Sequence, residues 1–210
     1  MCLTRTLPLA ITLGALLVPP AAIAQVQWVD EPDVRSRLAT GEVVMRSSVE
    51  HYESHGEVDV AVLVHAPRET VWKVLIDCAH AASFIPGLKR CHRLSGAPDG
   101  SWELIEHELK YSWYMPTIHT VFRTEMHPPA RIDFKRVSGD LKEERGDWIL
   151  VAVPESHGTI VTHHVFVEPG YWIPQAFIRH SLRKDLPAAL NALRVRAEGI
   201  AHEGAPTSVQ

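Results

Sequence analysis

Residues 58–77 read VDVAVLVHAPRETVWKVLID. Val58, Val60, Val62 and Val64 alternate with Asp59, Ala61, Leu63 and His65, a period of two that predicts a strand. Ala66-Pro67 ends it. Proline fixes φ and lacks an N–H, which suits the first turn of a helix, and Glu69 follows where the helix dipole favours an anion. Val71, Trp72, Leu75 and Ile76 then recur at helical spacing. A second short helix is predicted around 79–84, stopping at Pro86-Gly87.

Outward from that stretch, strand-like runs occupy about 88–95, 101–113, 116–127, 131–138, 144–153 and 159–167. Their breakers are turn formers, such as Gly96-Ala97-Pro98-Asp99-Gly100, Pro128-Pro129 and Ser138-Gly139-Asp140. Short strands joined by tight turns predict antiparallel pairing. Apolar residues fall on alternate positions, as in Ile105, Leu109, Tyr111 and Trp113, or Ile118, Phe122 and Met126, so one face of the sheet is expected to be buried. From about Pro174 to Glu198 a helical stripe runs through Phe177, Ile178, Leu182, Leu186, Ala189, Leu190 and Leu193. Arg179, Arg183, Lys184, Asp185, Arg194 and Arg196 are assigned to its wet face, and Pro187 predicts a local break in the helical hydrogen bonding. The fold class is therefore α+β: a strand, two short helices, six strands and a long helix. An antiparallel sheet curling around one helix cannot touch it everywhere, so a cavity is expected between them.

The chain has 210 residues, 46% hydrophobic and 22% charged. Mean hydropathy is -0.04 and the pI about 6.3. This is the composition of one ordinary globular domain. A net charge of -4 argues against phosphate neutralisation, and no nucleic-acid partner is expected. Residues 1–24 read as a signal peptide: Arg5, an apolar stretch from Leu7 to Val18, and Ala22-Ile23-Ala24 as a small-x-small cleavage site. The mature protein is expected to be periplasmic or secreted. Residues 25–41 form a polar lead-in, 42–200 the domain and 201–210 a tail. Cys78 and Cys91 remain after cleavage. Either they are bridged, which would contribute on the order of 3 kcal/mol on a loop-entropy argument, or they are two buried thiols.

Three motifs add a resemblance. They are Ala66-Pro67-Arg68-Glu69-Thr70-Val71-Trp72-Lys73-Val74-Leu75-Ile76-Asp77, then Phe84-Ile85-Pro86-Gly87-Leu88, then Gly158 to Thr162 leading into Glu168-Pro169-Gly170-Tyr171-Trp172-Ile173-Pro174. In this order the chain resembles the START-like superfamily, also called SRPBCC or birch-pollen-allergen-like. Within it, the chain is similar to the polyketide cyclase/dehydrase and coenzyme Q-binding protein group. The resemblance implies a helix-grip fold, with a seven-stranded antiparallel sheet around the C-terminal helix, and a ligand cavity for a lipid, quinone or polyketide-like molecule. One departure is Tyr171, which stands where the family carries a second glycine.

Motifs for chemistry are missing. The 13 histidines show no His-Glu-x-x-His or paired Cys and His, so no metal is expected. His163 and His164 are strand neighbours and point to opposite faces. There is no Gly-x-Ser-x-Gly elbow and no Gly-rich phosphate loop, and no cofactor is expected. Phe84, Trp113, Ile118, Phe122, Phe134, Trp148 and Phe177 are the expected ligand-contacting residues. His107 and Tyr111 are the proton-transfer candidates under an enzyme reading of the cyclase or dehydratase kind, with Glu106, Glu108 and His163 also in the sheet. Arg136 is expected to pair internally. Trp172, Arg179, Arg183 and Lys184 near Phe177 suggest transient contact with an anionic membrane surface. The leading expectation is a protein that binds and carries a hydrophobic small molecule. An envelope interaction module is the third reading.

Overall fold

The computed structural model describes residues 27–47, 55–111, 113, 115–170 and 172–203. The signal peptide assigned to 1–24 lies outside the described residues, as do residues 204–210 of the tail assigned to 201–210; residues 201–203 of it are the last turn of the C-terminal helix. Eight strands form one antiparallel sheet: β1 (Val44–Ser47), β2 (Gly56–Val64), β3 (Leu88–Gly96), β4 (Trp102–Leu109), β5 (Ile118–His127), β6 (Arg131–Gly139), β7 (Glu143–Val153) and β8 (Gly158–Glu168). The spatial order is β1-β2-β8-β7-β6-β5-β4-β3. The helices are α1 (Pro32–Ala39), α2 (Arg68–Leu75), α3 (Gln175–His180) and α4 (Leu186–Glu203), the last two joined by a π turn at Ser181–Asp185. A 3-10 segment at Cys78–Ser83 follows α2.

The six strands predicted between 88 and 167 are all present. The sheet has one strand more than the seven expected. The additional strand is β1, which precedes the Val58–Val64 alternation and pairs with β2 from Val44↔Ala61 to Ser47↔Val58. In β2 the alternation is apolar on both sides at its end, and both sides are covered. Val60, Val62 and Val64 point to α4, whereas Ala61 and Leu63 lie under Trp28, Val29, Val34 and Leu38 of the lead-in.

The inner face of the sheet grips the C-terminal helical segment. Leu190, Leu193 and Ala197 of α4 are fully buried against Val60, Val62, Val161 and α2. Polar ties fix the helix along its length. His65 N–H donates to Glu198 Oε1 at 2.8 Å, Arg194 to the Gly41 carbonyl at 2.6 Å, and Arg196 to Asp77 at 3.1 Å. Pro187 has no N–H to give back to the preceding turn, and the wide π turn lies immediately before it.

Candidate functional site

Between the inner face and the α3–π turn–α4 segment lies a cavity of about 290 Å³. The helix packs tightly only toward its C-terminal half, so the sheet and the first turns of the segment enclose space. Six of the seven expected contact residues line it: Phe84, Ile118, Phe122, Phe134, Trp148 and Phe177. Trp113 does not. Its side chain is 90% exposed, because β4 ends at Leu109 and the alternation that made Trp113 inward stops with the strand. Most other lining residues are apolar, including Leu109, Met126, Ile132 and Leu186.

Two local features shape the walls. Cys78 and Cys91 are bridged, with Cα atoms 5.4 Å apart, and both border the cavity. The bridge ties the segment after α2 to β3. Gly87 has φ +76°, and an added Cβ would sit 2.8 Å from the Tyr111 ring, so glycine at this place lets Tyr111 pack into the wall. Tyr111 then meets Phe177 edge-on at 4.9 Å, joining the loop after β4 to α3. Gly170 of the third motif approaches the Asp140 carbonyl so closely that a Cβ would lie 2.0 Å from the oxygen.

The proton-transfer candidates are present in the cavity but electrically quiet. Burial pushes His107 down to about 4, and its ring packs edge-on against Phe122 at 5.4 Å. Burial likewise lowers His163 to about 4, and its Nδ1 donates to the Asp147 carbonyl at 2.9 Å. That bond fixes the tautomer, since a carbonyl only accepts. The His163 ring stacks on Trp148 at 3.7 Å. Tyr111 is pushed up to about 12, chiefly by burial and then by the Asp185 charge. Glu108 and Glu106 are placed differently. Glu108 reaches Arg90 on β3 at 3.2 Å, and neither borders the cavity. Arg136 donates to the Gly139 carbonyl at 2.7 Å, an internal pairing.

Sequence reasoning passed over both acidic residues of the cavity. Glu144 shares strand parity with Trp148, one of the expected contact residues, so period two carried the signal. Burial raises it to about 8, against the opposing effects of Arg136 and Thr120. Asp185 was placed on the wet face of the helix, but the π turn brings it to the cavity, where it accepts a hydrogen bond from Ser181 at 2.7 Å. Among the described residues, no group of three or more His, Cys, Asp or Glu side chains is arranged to hold a metal ion. No described helix is long and apolar enough to cross a membrane.

Several solved structures share this architecture. The aromatase/cyclase Zhui from Streptomyces sp. R1128 is 16% identical, covers 71% of this chain and 98% of its own, and superposes with a TM-score of 0.61. A STAR-related lipid transfer protein from Xanthomonas axonopodis is 18% identical, with coverage of 74% and 93% and a TM-score of 0.62. A START superfamily protein from Mycobacterium smegmatis is 21% identical, with coverage of 69% and 98% and a TM-score of 0.56. At such identities the likeness concerns the fold. No curated protein matches the sequence. Residues 64–194, which span all three motifs, the walls of the cavity and the first half of α4, match the family described as polyketide cyclase/dehydrase and lipid transport, and the chain belongs to that family.

Proposed function

We propose that the protein binds a hydrophobic small molecule, a lipid, quinone or polyketide-like compound, in the cavity beside the C-terminal helix. The observation that carries this reading is the hollow itself, with aromatic and aliphatic walls on both the sheet and the helix. Transfer of a buried methylene from water releases about 0.8 kcal/mol, so a modest apolar ligand reaches micromolar affinity by desolvation alone. The hollow interior also favours ligand binding over an interaction module working through its surface. Carriage of the ligand in an exported protein is part of the proposal. The Cys78–Cys91 bridge fits an oxidising compartment, and the leader read at 1–24 supplies the route.

A cyclase or dehydratase activity is the second reading, favoured by His107 and Tyr111 at the cavity wall. Their chemistry weighs against it. A histidine held near 4 is a weak base at neutral pH, and a phenol held near 12 keeps its proton. Both suit orientation of a bound molecule.

Native mass spectrometry of protein expressed with its own leader tests the reading. The expected result is a mature chain beginning at Gln25 that carries an apolar molecule removable by solvent extraction. Calorimetry with 2-ethylnaphthalene on the extracted protein should then show micromolar binding. An apo mass together with no binding of that probe would overturn the ligand reading, and a chain retaining residues 1–24 would overturn export.

A further inference from the structure

The cavity has a polar end. Tyr111, Thr120, Glu144 and Asp185 all border it, contributed by the loop after β4, by β5, by β7 and by the π turn. Ser181 donates to Asp185, and Tyr111 lies within the influence of Ser181, Asp185 and Glu144. Glu144 stands beside Thr120 and within reach of the Arg136 charge from β6. From β8, the residue opposite Glu144 is Val167, followed inward by Val165. Two members of this group are incomplete. Glu144 Oε2 and Thr120 Oγ1 are buried and make no well-formed hydrogen bond to any other described residue, and the contact between the two side chains leaves one donor proton of the pair unused. A buried donor left unmade is costly, and a bound group that accepts from it recovers that energy.

The chemistry of the group follows from what surrounds it. A ligand carboxylate would have to give up its water in an apolar hollow and stand near the Asp185 charge, a cost that a neutral oxygen does not meet. The phenol of Tyr111 and the hydroxyl of Thr120 are donors, and burial keeps the Glu144 carboxyl protonated at neutral pH, which makes it a donor too. Donors on a wall call for an acceptor on the guest. We propose that Glu144 and Thr120 form a hydrogen-bonding subsite for the neutral carbonyl oxygen of an otherwise apolar ligand, and that this subsite excludes carboxylates. The inference rests on the cavity being the ligand site and adds the polar group its guest must carry.

Three probes of similar shape separate the outcomes by calorimetry: 2-acetylnaphthalene, 2-ethylnaphthalene and 2-naphthoate. At pH 6 the ketone should bind the wild type about tenfold tighter than the hydrocarbon, the equivalent of one net hydrogen bond. The carboxylate should bind at least about tenfold more weakly than the ketone. The ketone's advantage should fade as pH rises through 8 to 9, when Glu144 loses its donor proton. Glu144→Gln keeps an amide donor that does not titrate, so its preference should stay constant over the same range. His164 on the outer face is present in both proteins, and the difference between them isolates Glu144. Glu144→Leu should bind ketone and hydrocarbon alike, and the pH comparison of wild type with Glu144→Gln stands even if the leucine variant misfolds. Equal affinity for ketone and hydrocarbon in the wild type, or a preference for the carboxylate, would overturn the subsite while leaving the cavity reading intact. Failure of all three probes to bind would overturn both.

Discussion

His163 and His164 are adjacent in β8, yet one faces the cavity and the other the outer surface. On the inner side His163 stacks on Trp148 and is held neutral by burial, down to about 4. On the outer side His164 lies 2.9 Å from Asp59 and 3.3 Å from Glu57, and the hydrogen bond with Asp59 raises it. The same split runs across the sheet. Inner titratable groups such as Glu144 and His107 sit among apolar walls, whereas outer Asp147 is 3.2 Å from Arg131, which also bonds Asp133. One backbone thus carries two solvents. The inner face selects neutral forms and the outer face pairs charges, which is what a wall between an apolar guest and water requires.

The largest effect should come from the part of the inner face that the helix fills. Leu193 is fully buried between α4 and the sheet. Leu193→Ala should destabilise the protein by about 3 kcal/mol, through lost transfer energy and a new void, measured by denaturant unfolding. A loss below about 1 kcal/mol would mean that the helix is not gripped there. The hollow end is held differently, by the Cys78–Cys91 tie. The double substitution Cys78→Ala with Cys91→Ala should cost roughly 3 kcal/mol, and reductant should lower the unfolding temperature of the wild type but not of the variant. Equal sensitivity of both to reductant would contradict the bridge.

The two faces should also respond to acid in opposite senses. His163 in the unfolded chain titrates near its ordinary value, about 6.5, and in the fold near 4. Its folded pKa is depressed, so its share of stability is complete above about 6.5 and is lost as pH falls toward 4, with a slope of up to about 1.4 kcal/mol per pH unit. His163→Gln should remove that slope in unfolding curves collected across the window. An unchanged slope would show that the inner face admits water at this position.

Much of this architecture could be read from residue periodicity, because strand parity and helical spacing report burial directly. Val58 to Val64, the stripe from Phe177 to Leu193 and the aromatic wall residues all lie where those periods put them. Two failures have local causes. Trp113 continued an alternation whose strand had already ended, and a period does not announce its own stop. Asp185 followed a 3.6-residue register that the π turn breaks, and the extra residue in that turn brings its carboxylate to the cavity. Proline at 187 signalled a disturbance without saying how the chain would absorb it. Glu144 is a different case: its parity with Trp148 and Leu150 was plain, but an acid on an apolar face reads as an exception until the cavity beside it is seen.

The smallest effect belongs to the outer face. The folded pKa of His164 is raised, mainly by its hydrogen bond with Asp59. The stability it contributes is therefore complete below the unfolded value near 6.5 and is lost as pH rises through its folded pKa, the reverse of His163. Asp59 and Glu57 keep 38% and 45% of their side-chain surface in water, so screening holds the interaction below about 1 kcal/mol. His164→Gln should weaken the fold slightly at pH 5 and leave it unchanged at pH 8.5, with the gap at pH 5 shrinking in high salt. A larger loss at pH 8.5 than at pH 5 would mean that His164 acts by packing, and the division of the sheet into an apolar and a charge-paired face would then fail at its clearest point.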